Sequence, residues 1–152
     1  MKAVVGKIMD DTSRVVARVH PPITENMAVL ANSGDIADGQ IVAKDKDGAV
    51  IAHKKTTGVA MTGTVDGTNK AFSASLSPAP VLPGSVKIDN NNTSAQSLVD
   101  DGNGRLMGDG SGTVNYKTGE VAVSFTTAPA SGKTVLIAHK TAPIGVNVDA
   151  CD

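Results

Sequence analysis

Short runs of alternating apolar and polar residues, separated by turns rich in glycine and aspartate, recur through most of this chain. In the clearest run, Glu120–Phe125, the apolar residues Val121, Val123 and Phe125 occupy every second position. No long segment free of glycine and proline shows helical periodicity, and the nearest approach to one, Asp11–His20, alternates equally well. Because successive side chains of a strand point to opposite faces, the pattern predicts an all-β protein with those three apolar side chains in its core.

Turn residues divide the chain beyond residue 56 into short segments. We predict that this part is a small antiparallel, immunoglobulin-like β-sandwich, because its alternating runs are interrupted at regular intervals. The predicted strands are Ala60–Val65, Ala71–Leu76, Ser85–Ile88, Ser97–Val99, Gly112–Tyr116, Glu120–Phe125 and Thr134–Ala138. Earlier in the chain, two apolar runs flank Asp47-Gly48, a dipeptide that is typical of β-hairpin turns because both residues tolerate a positive φ.

One seven-residue phrase occurs twice. Val50–Thr56 reads VIAHKKT, and Leu136–Ala142 reads LIAHKTA. The sequence between the two copies resembles neither of them, and the likeness stops at the ends of the phrase, so a tandem duplication does not explain it. An insertion does, because the two ends of an inserted domain usually lie close together on the host.

The repeated phrase therefore predicts three parts. Residues 1–29 form an N-terminal arm, residues 30–56 and 140–152 form a small discontinuous β domain, and residues 57–139 form the inserted sandwich. The discontinuous domain has no aromatic residue and cannot form an internal disulfide, since the chain has a single cysteine. A domain of that size is near the limit of independent stability, so we expect it to bury apolar surface against copies of itself or another protein.

The insertion also predicts which residues are neighbours. Lys55 and Lys140 should lie side by side where the sandwich leaves the host domain. Residues Ile144–Val148 should pack on the strands of residues 30–53.

Charge and hydropathy exclude several classes of partner. The net charge is −1 and the two signs are interspersed, so the chain lacks the basic surface that nucleic acids or anionic membranes attract. No apolar run approaches the roughly 18 residues of a membrane-spanning helix. The start of the chain, Met1–Lys7, lacks the apolar stretch of a signal peptide. We expect neither a nucleic acid nor a membrane as partner.

The residue types that perform catalysis or bind metals are few and scattered. The histidines at 20, 53 and 139 lack the paired spacing of a zinc site, although the insertion could bring His53 and His139 together on the surface. The acidic turns Asp45–Gly48 and Asp100–Gly104 lack the terminal glutamate of a calcium loop. Cys151 is a lone cysteine one residue from the end of the given sequence, and a catalytic thiol needs a positioned base around it. We expect no catalytic residue, no metal and no cofactor, and therefore no enzymatic activity.

Two phrases resemble a known family. Gly34–Asp45 reads GDIADGQIVAKD and is followed by Gly48–Val50, and Ala142–Ala150 reads APIGVNVDA. These phrases resemble the lambda-type head decoration proteins of tailed phages, whose small β domain often shows (I/L)xxGxVLAKD…G and then PxGxxxxDVDA. In that family the second phrase follows soon after the first, whereas here the predicted insertion separates them. The insertion itself is similar to β modules that recur in phage virion proteins.

The resemblance implies a function. A decoration, or cement, protein binds the major capsid protein of the assembled head, here expected as a homotrimer, stabilises the head and would display the sandwich outward. It would be made in the host cytoplasm and end on the virion surface. The alternative is an adhesion module of a tail or fibre that binds carbohydrate or a host surface. Sugar sites generally use exposed Trp or Tyr, and Tyr116 is the only such residue in the chain.

The N-terminal arm supplies the candidate capsid contacts. It is too short to form a core alone, and Pro21-Pro22 separates most of it from the host domain. Such a segment can gain order by adding a strand to a neighbour's exposed sheet edge. The apolar residues that would contact the capsid are Val4, Val5, Ile8, Val15 and Val19. Alternatively, the arm forms a strand of its own domain.

Overall fold

The computed structural model describes residues 29, 36–37, 39–90 and 95–146, and all regular structure within them is β. The strands are β1 (Ile41–Lys44), β2 (Val50–Ala52), β3 (Lys55–Ala60), β4 (Ala71–Ser75), β5 (Lys87–Asn90), β6 (Ser97–Asp100), β7 (Arg105–Gly108), β8 (Gly110–Val114), β9 (Glu120–Phe125), β10 (Val135–Lys140) and β11 (Pro143–Val146). The prediction of an all-β protein is confirmed. The described residues accordingly contain no helix that could cross a membrane.

The strands form two sheets of unequal size. The small sheet has three strands in the order β11-β1-β2, and the large sheet has eight in the order β3-β10-β5-β6-β7-β8-β9-β4. Every neighbouring pair is antiparallel. The large sheet almost closes on itself, because the amide of Thr62 donates to the carbonyl of Ser73 (2.7 Å) and the amide of Ser73 donates back (3.0 Å). This bridge joins the end of β3 to β4.

The large sheet curves around one core. Fourteen buried apolar side chains between Met61 and Ile137 form a single cluster, to which β4 through β10 all contribute. Phe72 and Phe125 meet edge to face near its centre, with ring centroids 5.9 Å apart. Strand β9 has the predicted bounds, and its residues alternate between exposed and buried as predicted, with Val121, Val123 and Phe125 inside.

One predicted strand is wrong, and one strand was not predicted. The chain does not form a strand over Ala60–Val65. It forms β3 five residues earlier, and Gly63 then bends the chain with a φ of 145°. Strand β7 was not predicted, because its sequence RLMG is short and does not alternate between polar and apolar residues. In the structure only Leu106 of its four residues is buried.

The expected neighbours are found as far as the described residues reach, and Asn147 and Val148 lie outside them. Lys55 and Lys140 are register partners on β3 and β10. On the small sheet, β11 pairs with β1, so that Ile41 is opposite Val146 and Val42 is opposite Gly145. Strand β3 begins two residues before the predicted boundary of the insertion at residue 57.

Strand β3 is an edge of the large sheet, and its sequence limits further pairing there. Its register against β10 shifts between the pairs Ile137–Val59 and His139–Thr56, which inserts an extra residue into β3. Gly58 occupies this bulge with a φ of 72°, a conformation that glycine adopts without a steric penalty. A bulge twists an edge strand, and pairing with another strand would bury Lys55 at a cost. Strand β3 is therefore a poor template for another strand.

Candidate functional site

The small sheet has much less core than the large one. Among the residues that the structure describes, its buried cluster has three side chains, Ile36, Val42 and Val50, against fourteen in the large sheet. Ala43 and Ile51 are also buried, so both faces of the sheet are covered at its centre. Burial of these five aliphatic side chains is a small hydrophobic contribution compared with the entropy lost in ordering three strands and their connections.

The small sheet nevertheless leaves large apolar side chains in water. Val29, Ile41 and Ile144 are 40%, 48% and 44% exposed. They are half of the six large exposed hydrophobic residues in the part of the chain that the structure describes, although the small sheet has only three of the eleven strands. We call these three residues the apolar surface of the small sheet.

The backbone explains why these side chains are exposed. Ile144 is the extra residue of a bulge in β11, where the register against β1 shifts between Val42 and Ala43. Val29 forms an isolated parallel bridge with Val50 at the other edge of the sheet. A β-bulge changes the direction in which a side chain leaves the strand. The position of Ile144 in the bulge therefore suits a contact outside the domain.

A hydrogen-bonded junction joins the two sheets. The backbone amide of Lys54 donates to Thr141 Oγ1 (2.9 Å), and the amide of Thr141 donates to the carbonyl of Lys54 (3.0 Å). The same hydroxyl lies 3.1 Å from His53 Nδ1. Thr141 is completely buried, so this junction is a fixed part of the fold.

Contrary to the expectation from the sequence, His139 does not lie on the surface. Alternation along β10 places it on the inner side with Val135 and Ile137, and only 1% of it is exposed. Both ring nitrogens are buried without a hydrogen-bond partner. Burial lowers the pKa of His139 below its ordinary 6.5, because charging the ring away from water is costly, and the backbone groups of Pro78 and Ser77 only partly oppose this.

Tyr116 is half-buried, and its hydroxyl is fully used. It donates to Asp100 Oδ1 (2.5 Å) and accepts from the backbone amide of Gly104 (2.7 Å). Burial, followed by the bond to Asp100, raises the pKa of Tyr116 above its ordinary value. Its ring packs against the core. Tyr116 therefore fixes the loop that precedes β7, and it is not a free aromatic platform on which a sugar could stack.

The acidic turns use their carboxylates internally. Asp45 Oδ1 accepts from the amides of Asp47 (3.0 Å) and Ala49 (2.8 Å), which closes the predicted hairpin turn. Bonds from the amides of Asn69 and Thr68, and from the Thr68 hydroxyl, lower the pKa of Asp66 to about 2. Within the described ranges, no three histidine, cysteine, aspartate or glutamate side chains come together as a metal site.

The predicted capsid contacts, Val4, Val5, Ile8, Val15 and Val19, lie outside the described residues, as do His20 and Cys151. The sequence did not predict the apolar surface of the small sheet. Ile41 and Ile144 are in runs that read as ordinary strands, and alternation tells which face a side chain shares but not whether anything covers it. Comparison of the chain with models of known families, with characterised proteins and with solved structures finds no match.

Proposed function

We propose that this protein is a decoration protein of a tailed-phage capsid, which binds the assembled head and displays the large sheet outward. The observation that carries the proposal is the unequal division of the fold. Among the described residues, the large sheet encloses a cluster of fourteen buried apolar side chains, whereas the small sheet has a buried cluster of three and three exposed apolar side chains. The phrases that resemble decoration proteins, Gly34–Asp45 and Ala142–Ala150, include strands of this small sheet.

In this proposal the apolar surface of the small sheet contacts the major capsid protein or a neighbouring copy. Covering Val29, Ile41 and Ile144 would add apolar burial that the small sheet lacks when it is alone. The two connections to the large sheet leave side by side, at Lys55 and Lys140. A large sheet attached at one point can project from the capsid without disturbing the contacts of the small sheet.

The oligomer and the arm complete the proposal. We propose a homotrimer on the virion surface, assembled from copies made in the host cytoplasm. The arm, residues 1–29, would start from Val29 at the edge of the small sheet and extend over the capsid or a neighbouring subunit, with Val4, Val5, Ile8, Val15 and Val19 as contacts. Each contact would be modest, and repetition over a symmetric lattice would make the shell stable.

A binding assay with two matched double variants tests the role of the small sheet. I41S/I144S changes two exposed residues of the small sheet, and V99S/M107S changes two equally exposed residues of the large sheet. On undecorated heads, co-sedimentation should show binding weakened by about tenfold or more for the first variant and unchanged for the second. Equal binding by I41S/I144S and the unmodified protein would contradict the proposal.

A deletion tests the arm separately. Removing residues 2–19 should weaken binding to undecorated heads and leave the melting transition of the large sheet unchanged. Negative-stain microscopy of particles with and without the protein gives the direct readout. If the truncated protein decorates heads with unchanged affinity, the arm has no docking role and the small sheet alone must account for binding.

A further inference from the structure

A groove on the large sheet concentrates positive charge. It has a volume of about 530 Å³ and crosses β3, β10 and β5. Its lining includes three lysines, Lys55, Lys87 and Lys140, against one acidic residue, Asp89, together with the hydroxyl residue Ser85 and the apolar residues Leu136 and Ala138. We call this feature the lysine groove. It belongs to the large sheet and contains none of the residues of the apolar surface, so it is independent of the proposed capsid contact.

The register of the strands places like charges together. Lys55 and Lys140 are directly opposite each other on β3 and β10, both exposed and therefore on the outer face. Like charges in that position destabilise a sheet. Two ion pairs are found among the described residues, Lys46–Asp47 and Lys87–Asp89, and neither involves these two lysines. An anion from outside would relieve the repulsion.

Lys87 provides a further positive charge on the same face of the sheet. It is opposite Ala138 on the neighbouring strand, and Ser85 is hydrogen-bonded to Lys140, so Lys87 is the diagonal neighbour of Lys140. Diagonal neighbours on one face of a sheet are about 7–8 Å apart. Lys87 also pairs with Asp89 at 3.1 Å, but both side chains are about half exposed and such a pair exchanges partners at little cost.

We propose that the lysine groove binds an extended acidic segment of a partner protein, with carboxylates at every second residue. Side chains two residues apart on an extended chain are about 6.6–6.8 Å apart and share a face, which matches the spacing from Lys140 to Lys87. One carboxylate then lies at Lys140, with Lys55 beside it, and the next reaches Lys87. Leu136 and Ala138 beneath them suit the methylene groups of such a segment.

Other anions fit the groove less well. A nucleic acid needs a long basic surface, and the net charge of this chain is −1 with interspersed signs. A single phosphate has no methylene groups to cover Leu136 and Ala138, and the groove lacks the arginine fork that favours bidentate phosphate contacts.

Fluorescence anisotropy with labelled octapeptides and the full-length protein tests the proposal. The probe contains a central Glu-Ser-Glu, an isomer contains Ser-Glu-Glu, and a neutral peptide contains Gln-Ser-Gln. We expect the probe to bind at low ionic strength, the isomer to bind about threefold more weakly because its carboxylates point to opposite faces, and the neutral peptide not to bind. Binding of the probe should disappear at about 0.3 M NaCl.

Protein variants connect the binding to the groove. K55Q/K140Q should weaken binding of the probe by about tenfold, and K117Q, which removes an exposed lysine from the turn between β8 and β9, should leave it unchanged. The proposal is overturned if the probe does not bind, if the isomer binds as tightly, or if K117Q weakens binding as much as K55Q/K140Q. Displacement of the probe by an equal concentration of inorganic phosphate would overturn it in favour of a small-anion site.

Discussion

Thr141 Oγ1 accepts a hydrogen bond of 2.9 Å from the backbone amide of Lys54, although 87 residues separate the two in sequence. With the reciprocal bond from the amide of Thr141 to the carbonyl of Lys54, this pair extends the ladder of β3 and β10 by one step beyond Lys55 and Lys140. The two copies of the repeated phrase meet at this point. Both copies therefore pass side by side from one sheet to the other.

Replacing the hydroxyl of Thr141 should weaken this junction. T141V keeps the shape of the side chain but leaves the amide of Lys54 without its acceptor, so the free energy of unfolding should fall by about 1–3 kcal/mol. T141S keeps the hydroxyl and should lose only about 0.8 kcal/mol for the missing methyl group. Urea denaturation measures both values. Amide exchange at Lys54 should accelerate in T141V alone, and equal protection in the two variants would contradict the prediction.

Removing the hydroxyl of Tyr116 should destabilise the large sheet. Y116F leaves the amide of Gly104 without its acceptor in a half-buried position and removes one of the two hydrogen bonds to Asp100 Oδ1, which keeps the bond from the amide of Gly102, at an expected cost of about 1–3 kcal/mol. D100N also disrupts the bond, so the effects of the two substitutions should not add in the double variant Y116F/D100N. Additive losses in urea denaturation would show that the two side chains act independently.

The burial of His139 predicts a loss of stability at mildly acidic pH. Its pKa in the folded protein is lower than the ordinary 6.5, so below pH 6.5 the unfolded chain binds a proton that the folded chain does not. The free energy of unfolding should then decrease by up to about 1.4 kcal/mol per pH unit until the folded-state pKa is reached. Above pH 6.5 both states are neutral at this residue, and its titration has no effect.

H139M isolates this contribution, because methionine fills a similar space and does not titrate in this range. Denaturation at pH 8 gives the packing effect of the substitution. Between pH 7.5 and 5, the stability of H139M should rise relative to that of the unmodified protein. A constant difference over this interval would show that His139 does not titrate differently in the two states.

Some of this fold could be predicted from local sequence. Alternation gave β9 and its core residues, because a strand with one buried face must repeat every second residue. Asp47-Gly48 gave the hairpin turn, since few residue types tolerate its backbone. The repeated phrase gave the pairing of Lys55 with Lys140. In the first two cases a local backbone requirement restricts the residue types in the sequence. In the third case the repeated phrase marks where the chain enters and leaves the large sheet.

The candidate sites could not be predicted in this way. Ile41 and Val42 are both aliphatic, yet one is 48% exposed and the other 5%, because only the arrangement of the sheets decides which is covered. The lysine groove depends on strand order, since Lys87 and Lys140 are 53 residues apart in the chain and belong to neighbouring strands. Long-range pairing of this kind leaves no local pattern.

The division into a host domain and an insertion predicts an independently folding fragment. All fourteen core residues of the large sheet lie between Met61 and Ile137, and the bonded pair Lys54 and Thr141 brings both ends together. Residues 54–142 alone should therefore melt cooperatively, with the near-UV circular dichroism of Tyr116 retained. No contribution from the small sheet to this core is needed, because its own buried cluster is separate.

A second fragment makes this test specific. Residues 57–139 follow the boundaries predicted from sequence, but they omit Lys55, Lys140 and Thr141, and thus the end of the β3–β10 ladder. This fragment should melt at a lower temperature than residues 54–142, because β10 loses part of its partner strand and the junction bonds are missing. Calorimetry of the two fragments and the full chain measures the difference. A fragment 54–142 without a cooperative transition would show that the large sheet requires the small sheet, and the chain would then be one folding unit without an inserted domain.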